Sequence, residues 1–388
     1  MAKIVCLKEA ASRERRCGLL PANVKAYVLL GAEVIIESGL GDGIFITDEE
    51  YVNAGATVLK NRAEILAQAD VILSVDKLPV EDIPHAKGKT VISFLDPFNS
   101  HDYVDSLCLN LVTSFSVEMI PRSTRCQKMD ALSSQASLAG YVMVTKAVAA
   151  LPSILPMMMT AAGTIKPAKV FVIGAGVAGL QAIATAKRLG AAVTAFDTRA
   201  VVAEQVRSLG AKFLDIDLGD TGQTAQGYAQ ALTPEQMAKQ QAAQAQCIAQ
   251  SDIVITTAQL FGRKPPVLIN HETIKLMKAG SVIVDMAAQS GGNVAGSVAG
   301  ESTVIDGVTV IGSGNWSNEV ALNASQMYAN NLFNLVSEFW QKGSKQFAID
   351  LEDDIQKSAV ITHQGDITNQ TISELRAQQQ EQPVEQAS

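Results

Sequence analysis

Short apolar runs rich in β-branched residues alternate with amphipathic stretches along nearly the whole chain. In the N-terminal third, residues 4–7, 33–36, 56–58, 71–75, 90–93 and 111–114 predict strands. Residues 21–30, 51–54 and 63–68 predict the helices between them. Pro21 fits a first helical turn, where its missing N–H is no loss, and Gly31–Ala32 breaks that helix. Residues 133–151 predict a long helix leaving this domain for the next. Beyond it, 170–173, 192–196, 213–215, 253–256, 281–285 and 308–311 predict strands, and 180–189 and 234–250 helices. In 323–340, Met327, Leu332, Leu335, Val336 and Phe339 recur at helical spacing. That helix is expected to return to the first domain.

Strand and helix in alternation predict parallel, doubly wound sheets. The expected fold is α/β, with two Rossmann-like doubly wound parallel-sheet domains and a cleft between them as the ligand site. The first domain, 1–133 plus 322–375, is discontinuous, and the second covers 134–321. The polar, Gln/Glu-rich tail, 376–388, is expected to be disordered.

Composition narrows the function. Hydrophobic residues make up 47% of the 388, enough for two large cores, and small Ala, Gly and Val suit helices packed on a parallel sheet. Net charge is −8 with no basic stripe, which excludes a nucleic-acid partner. The five cysteines are scattered without a C-x-x-C pair, pointing to a reducing compartment. The four histidines lack zinc-ligand spacing, so no metal is expected. MAKIVCLKEA reads as a strand and a charged loop, not a signal peptide. Residues 141–162 are the most membrane-like, but Lys146, Pro152 and Pro156 interrupt them. A core helix and a loop are expected there, in a soluble chain.

The most specific motif is KVFVIGAGVAGLQAIATAKRLGAAVTAFD, residues 169–197. It reads strand, glycine turn, helix, strand, acid. Gly174, Gly176 and Gly179 have G-x-G-x-x-G spacing, and Asp197 follows 18 residues after Gly179. In a dinucleotide fold the first glycine allows the tight turn, the second lets the pyrophosphate approach, and the third lets helix and strand pack closely. The helix N-terminus attracts phosphate. Asp197 at the second strand's end would accept a hydrogen bond from a ribose 2′-OH and repel a 2′-phosphate, favouring NAD(H) over NADP(H). Arg199 is a counter-signal, because a nearby arginine can accommodate that phosphate.

A second dense stretch is PRSTRCQKMDALSSQASLAGY, residues 121–141. Arg122, Arg125, Gln127, Asp130, Ser133, Ser134 and Gln135 crowd ahead of an apolar helix. Ser123 or Thr124 could cap a helix start, or the stretch could be a solvated face. The density at an expected domain junction favours a ligand cluster. No histidine lies near it. Hydride transfer between two nicotinamides needs no proton donor, whereas reduction of a keto or imino acid does. Residues 219–232, GDTGQTAQGYAQAL, read as a mobile surface loop.

These two stretches, with PMMMTAAGT (156–164) and VDMAAQSGGN (284–293), resemble the proton-translocating NAD(P) transhydrogenases. The similarity is to their soluble NAD(H)-binding component, at the start of the alpha subunit, and runs to about residue 365. It implies a catalytic set of Arg122, Gln127, Asp130 and Ser133 around the nicotinamide, with Gln127 aligning the ring. It implies cofactor contacts at Gly174, Gly176, Val177, Ala178, Gly179, Asp197, Thr198, Arg199, Ala258 and Leu260. Tyr228 would belong to a loop that closes over the nucleotide. The resemblance further implies NADP(H) on a partner subunit, a membrane-spanning partner, a homodimer, and a place on the cytoplasmic side of the inner membrane. Alanine dehydrogenase, a relative, offers an alternative as an amino-acid oxidoreductase. Arg16 stands at that enzyme's substrate arginine. Residues 92–98, ISFLDPF, lack its catalytic histidine, Lys77 is out of register with its substrate lysine, and Gln289 replaces its catalytic aspartate.

Overall fold

The structure, a computed structural model, describes residues 1–11, 13–216, 233–259 and 262–381. The chain divides into two compact units, Met1–Gln135 with Ala321–Ser388, and Ala136–Val320.

The first unit begins with β1 (Lys3–Cys6), α1 (Pro21–Leu29), β2 (Glu33–Glu37), α2 (Asp48–Ala54), β3 (Thr57–Leu59), α3 (Arg62–Gln68), β4 (Val71–Leu73), β5 (Thr90–Ser93), α4 (His101–Leu109) and β6 (Thr113–Ser116). These six strands pair in parallel in the order β3-β2-β1-β4-β5-β6. The strands β1, β2, β4 and β5 bury both faces. Ile4 and Cys6 join Leu19, Tyr27 and Tyr328 on one side, while Val5 and Leu7 join Ile65, Leu66 and Leu107 on the other. Double burial is why these strands read as unbroken apolar runs. The strand expected at 111–114 starts two residues later. Leu111, at φ +55, ends α4 instead, its N–H donating to the Cys108 carbonyl and that of Val112 to Leu107. This left-handed helix stop is normally signalled by glycine.

The helix α5 (Ala131–Ala150) follows, then the hairpin β7 (Met158–Thr160) and β8 (Gly163–Ile165). The hairpin replaces the expected loop, and Met157, Met158, Met159 and Ile165 are exposed on it. The second unit continues with β9 (Lys169–Ile173), α6 (Val177–Arg188), β10 (Ala192–Phe196), α7 (Ala203–Ser208), β11 (Lys212–Phe213), α8 (Pro234–Ala249), β12 (Ile253–Thr256), α9 (His271–Ile274), β13 (Val282–Asp285), β14 (Ser302–Ile305) and β15 (Val308–Ile311). Its sheet runs β11-β10-β9-β12-β13-β15-β14. Apart from β14, the strands are parallel in the same 3-2-1-4-5-6 arrangement, the dinucleotide-fold order. Val170 and Val172 pack with Met143, Ala182 and Ile183, and Phe171 and Ile173 with Ile248 and Ile274.

The chain returns to the first unit in α10 (Ala321–Glu338), β16 (Trp340–Gln341), β17 (Gln346–Phe347), α11 (Asp354–Ala359), β18 (Val360–His363), β19 (Asp366–Ile367) and α12 (Gln370–Glu381). The two sheets are parallel as expected, with antiparallel strands added at an edge of each. β14 pairs antiparallel with β15, and β18 antiparallel with β6 and β19. Both new hairpins turn on two successive positive-φ residues, Asp306–Gly307 and Gln364–Gly365, as two-residue hairpin turns require. The expected tail is helical through Glu381. Asn369 caps α12, Ile372 is fully buried, and Arg376 donates to Asp105 at 2.6 and 2.7 Å, so the first turns have packing to hold them. Residues 219–232, including Tyr228, and Leu260 lie outside the described residues. Among the described residues, no helix is long and apolar enough to cross a membrane.

Candidate functional site

In the second unit, β9 ends at Ile173 and the chain turns at Gly174, with φ +100. A Cβ there would stand 2.5 Å from the Thr257 hydroxyl. A Cβ on Gly179 would stand 1.9 Å from the Gly174 carbonyl oxygen, so only glycine lets α6 close on the turn. Gly176 is different. It is exposed at the helix start, and a Cβ on it would meet nothing within 4 Å. Space is thus kept open where a phosphate would approach the helix N-terminus, beside exposed Val177 and buried Ala178. The turn and the chain beyond β12 lie at the carboxyl ends of β9 and β12, where the strand order reverses. Open α/β sheets bind ligands at that point.

Asp197 follows β10 and is 9% exposed. Its Oδ2 accepts the Ala175 N–H at 2.8 Å, tying the acid to the glycine turn. Arg199 donates its backbone N–H and Nε to Oδ1 at 2.8 and 2.9 Å, and Nη2 to Oδ2 at 2.9 Å. Thr198, between them, is half-buried.

Ala258 is held by residues the sequence reading passed over. Thr257 donates its N–H to the Ile173 carbonyl and its hydroxyl to that of Gly174. The Asn293 amide donates to the Ala258 carbonyl at 3.0 Å. Asn293 in turn donates its N–H to Asp285 at 3.0 Å, as do Ala287 at 3.0 Å and Val294 at 3.2 Å. Asp285 is fully buried and organises the segment after β13. Its signal was an acid closing an otherwise apolar strand. Gly140 of α5 was also missed: a Cβ there would lie 2.3 Å from the Ala178 carbonyl.

The other cluster lies in the first unit. Cys126 and Met129 are buried there. The Lys128 carbonyl accepts from Asn331 and Asn334 of α10, and Arg125 pairs with Glu338 and Asp353 at 2.8 and 2.7 Å. Gln127 stands exposed between these pins, and Arg122 stands exposed ahead of them. Capping falls to Asp130 rather than Ser123 or Thr124. Ser133 donates its N–H and hydroxyl to the Asp130 carboxylate at 2.8 and 2.6 Å, closing the start of α5.

At the carboxyl ends of β1 and β4, Glu9 accepts the N–H groups of Val75 and Asp76 at 2.6 and 3.2 Å. Burial outweighs those bonds and pushes its carboxyl up to about 8. Arg16 is buried with its Nε and Nη2 on Glu14 at 2.8 and 2.7 Å and its Nη1 on Gln135 at 3.0 Å. Lys77 donates to Ser100 at 2.7 Å. Gln289 is exposed.

The family models "Alanine dehydrogenase/PNT, N-terminal domain" and "Alanine dehydrogenase/PNT, C-terminal domain" match residues 5–139 and 143–370. The chain is 41% identical over 379 residues to an NAD(P) transhydrogenase subunit alpha chain of Rhodospirillum rubrum, covering 96% of this chain and 99% of that one. A solved transhydrogenase from Sinorhizobium meliloti superposes with a TM-score of 0.82 at 39% identity, over 95% of this chain and 99% of that one. A solved L-alanine dehydrogenase shares the fold, with a TM-score of 0.81 at 22% identity over 97% and 99%.

Proposed function

This chain belongs to the alanine dehydrogenase/PNT family and, within it, to the NAD(P) transhydrogenase alpha subunits, and on that premise we propose that it binds NAD(H) and exchanges hydride with NADP(H) held on a partner subunit. The observation that carries the NAD(H) assignment is the turn after β9. There, the open face of Gly176, the N-terminus of α6 and the carboxylate of Asp197 offer a phosphate cradle and a ribose acceptor within one unit.

The nicotinamide ring, when bound, supplies or accepts the hydride; the chain's work is to position it and exclude water. Gly174 and Gly179 fix the turn, and Asn293 and Asp285 hold Ala258. Gln127 and Arg122 offer an amide and a guanidinium from a pinned loop, suited to orienting a carboxamide-bearing ring. Asp130 and Ser133 shape that loop's exit into α5. None of these groups has to move a proton.

The exposed methionine hairpin, β7 and β8, supports a homodimer, because an apolar strand edge of this kind is covered in a stable protein. The proton path and the NADP(H) site belong to partner subunits, one of which spans the membrane and holds this chain at its cytoplasmic face. The alanine-dehydrogenase reading has less support, since residues 92–98 lack that enzyme's histidine and Gln289 stands in place of its aspartate.

The deciding experiment mixes the purified chain with NADH and the NADP⁺-binding component of a transhydrogenase, following reduction of an NADP⁺ analogue. Pyruvate plus ammonia serves as a parallel acceptor. Transfer that requires the partner is expected; turnover with pyruvate and ammonia in the partner's absence would replace this function with amino-acid oxidation.

A further inference from the structure

Building on the NAD(H) reading above, we propose that Arg199 is a specificity-determining latch: its guanidinium occupies the Asp197 acceptor sites that the adenosine ribose hydroxyls need, and nucleotide binding displaces it. A carboxylate offers about four acceptor directions, two on each oxygen. All four are taken: Oδ1 by the Arg199 backbone N–H and Nε, Oδ2 by the Ala175 N–H and Arg199 Nη2. The two backbone bonds are fixed by the glycine turn and by the chain itself. The two guanidinium bonds hang on a rotatable side chain, and only they can be exchanged.

The exchange is chemically matched. The guanidinium fork presents two donors side by side, and a vicinal ribose diol does the same. The ion pair is shielded, with side chains 7% exposed for Asp197 and 17% for Arg199, so water does little to weaken it. NADH therefore binds against an internal competitor. Once released, the guanidinium lies within a side chain's length of the 2′ position, where it offsets the repulsion between Asp197 and a 2′-phosphate. Arg199 thus lowers discrimination from both directions, weakening NADH binding and supporting NADPH.

The test titrates NADH and NADPH, by nucleotide fluorescence, into the full-length wild type, Arg199→Ala, Arg199→Lys, Asp197→Ala and the Asp197→Ala/Arg199→Ala double variant. Melting temperatures are recorded without nucleotide. Arg199→Ala is expected to bind NADH several-fold more tightly and NADPH more weakly. Arg199→Lys, which keeps the charge without the fork, should improve NADH binding while retaining more NADPH binding. Without nucleotide, the two alanine substitutions should lower the melting temperature non-additively, as a pair in contact does. Weakened or unchanged NADH binding in Arg199→Ala, or additive melting shifts, would overturn the latch while leaving the NAD(H) reading intact. A wild-type chain that does not bind NADH would remove both.

Discussion

Gln127 stands exposed on a loop whose neighbours Cys126 and Met129 are buried. Removing one methylene therefore moves its amide without loosening the loop. Gln127→Asn should slow hydride transfer on the order of ten- to a hundredfold while changing NADH affinity little; an equal loss in both would make Gln127 a binding residue only. Glu9 tests electrostatics rather than chemistry. Burial pushes its folded carboxyl up to about 8, from an ordinary value of 4.5. Between those values the unfolded chain has released a proton that the folded chain keeps. Stability should then fall as pH rises through that window and level off above it. Glu9→Gln, always neutral, should lose less melting temperature between about pH 5 and pH 8, and parallel pH profiles would reject the assignment. Residues with chemical character were legible from sequence, as Asp197 was. Asp285 and Asn293 were not, because their role is to satisfy backbone groups: Asp285 those of the segment just after β13, Asn293 the carbonyls of Ala258 and Pro266.

Among the elements, the turn between β9 and α6 makes the sharpest prediction. Gly179→Ala places a methyl against the Gly174 carbonyl and should cost about 1–3 kcal/mol in denaturant unfolding. Gly176→Ala meets no neighbour, so it should leave stability unchanged and weaken NADH binding instead. Equal unfolding midpoints for both variants would refute the packing argument. Strands buried on two faces were legible because continuous apolar runs mark them. The antiparallel additions were less so. Asp306–Gly307 between β-branched residues was a usable hairpin signal, but β14, with Val304 exposed and only Ile305 packed on the core, is too short and too mixed to betray itself. Gln364 and the left-handed stop at Leu111 are residues that rarely advertise such backbone.

For the whole molecule, the exposed hairpin is the surface on which the proposed homodimer rests. Replacing Met157, Met158 and Met159 with serine should shift sedimentation toward the monomer while leaving the melting of each unit near wild type; an unchanged sedimentation coefficient would detach the hairpin from dimer formation. Helical spacing in residues 323–340 made the return of the chain to its first unit readable, since a long amphipathic helix needs a core to cover it. The strands that follow are too short to announce which sheet they join.

That return has a consequence for how the protein is made. The Leu19 and Tyr27 face is covered by Tyr328, Leu332 and Leu335 of α10, and Ser114 of β6 bonds Thr362 of β18 across 248 residues of chain. A ribosome delivers Met1–Gln135 first, then all of Ala136–Val320, and only then those partners. Translating the intervening stretch takes on the order of ten to forty seconds. Throughout that interval the nucleotide-binding unit can close on its own contiguous sequence. The first-born segment waits with its core and its β6 edge uncovered, and is the nascent-chain region most in need of chaperone protection.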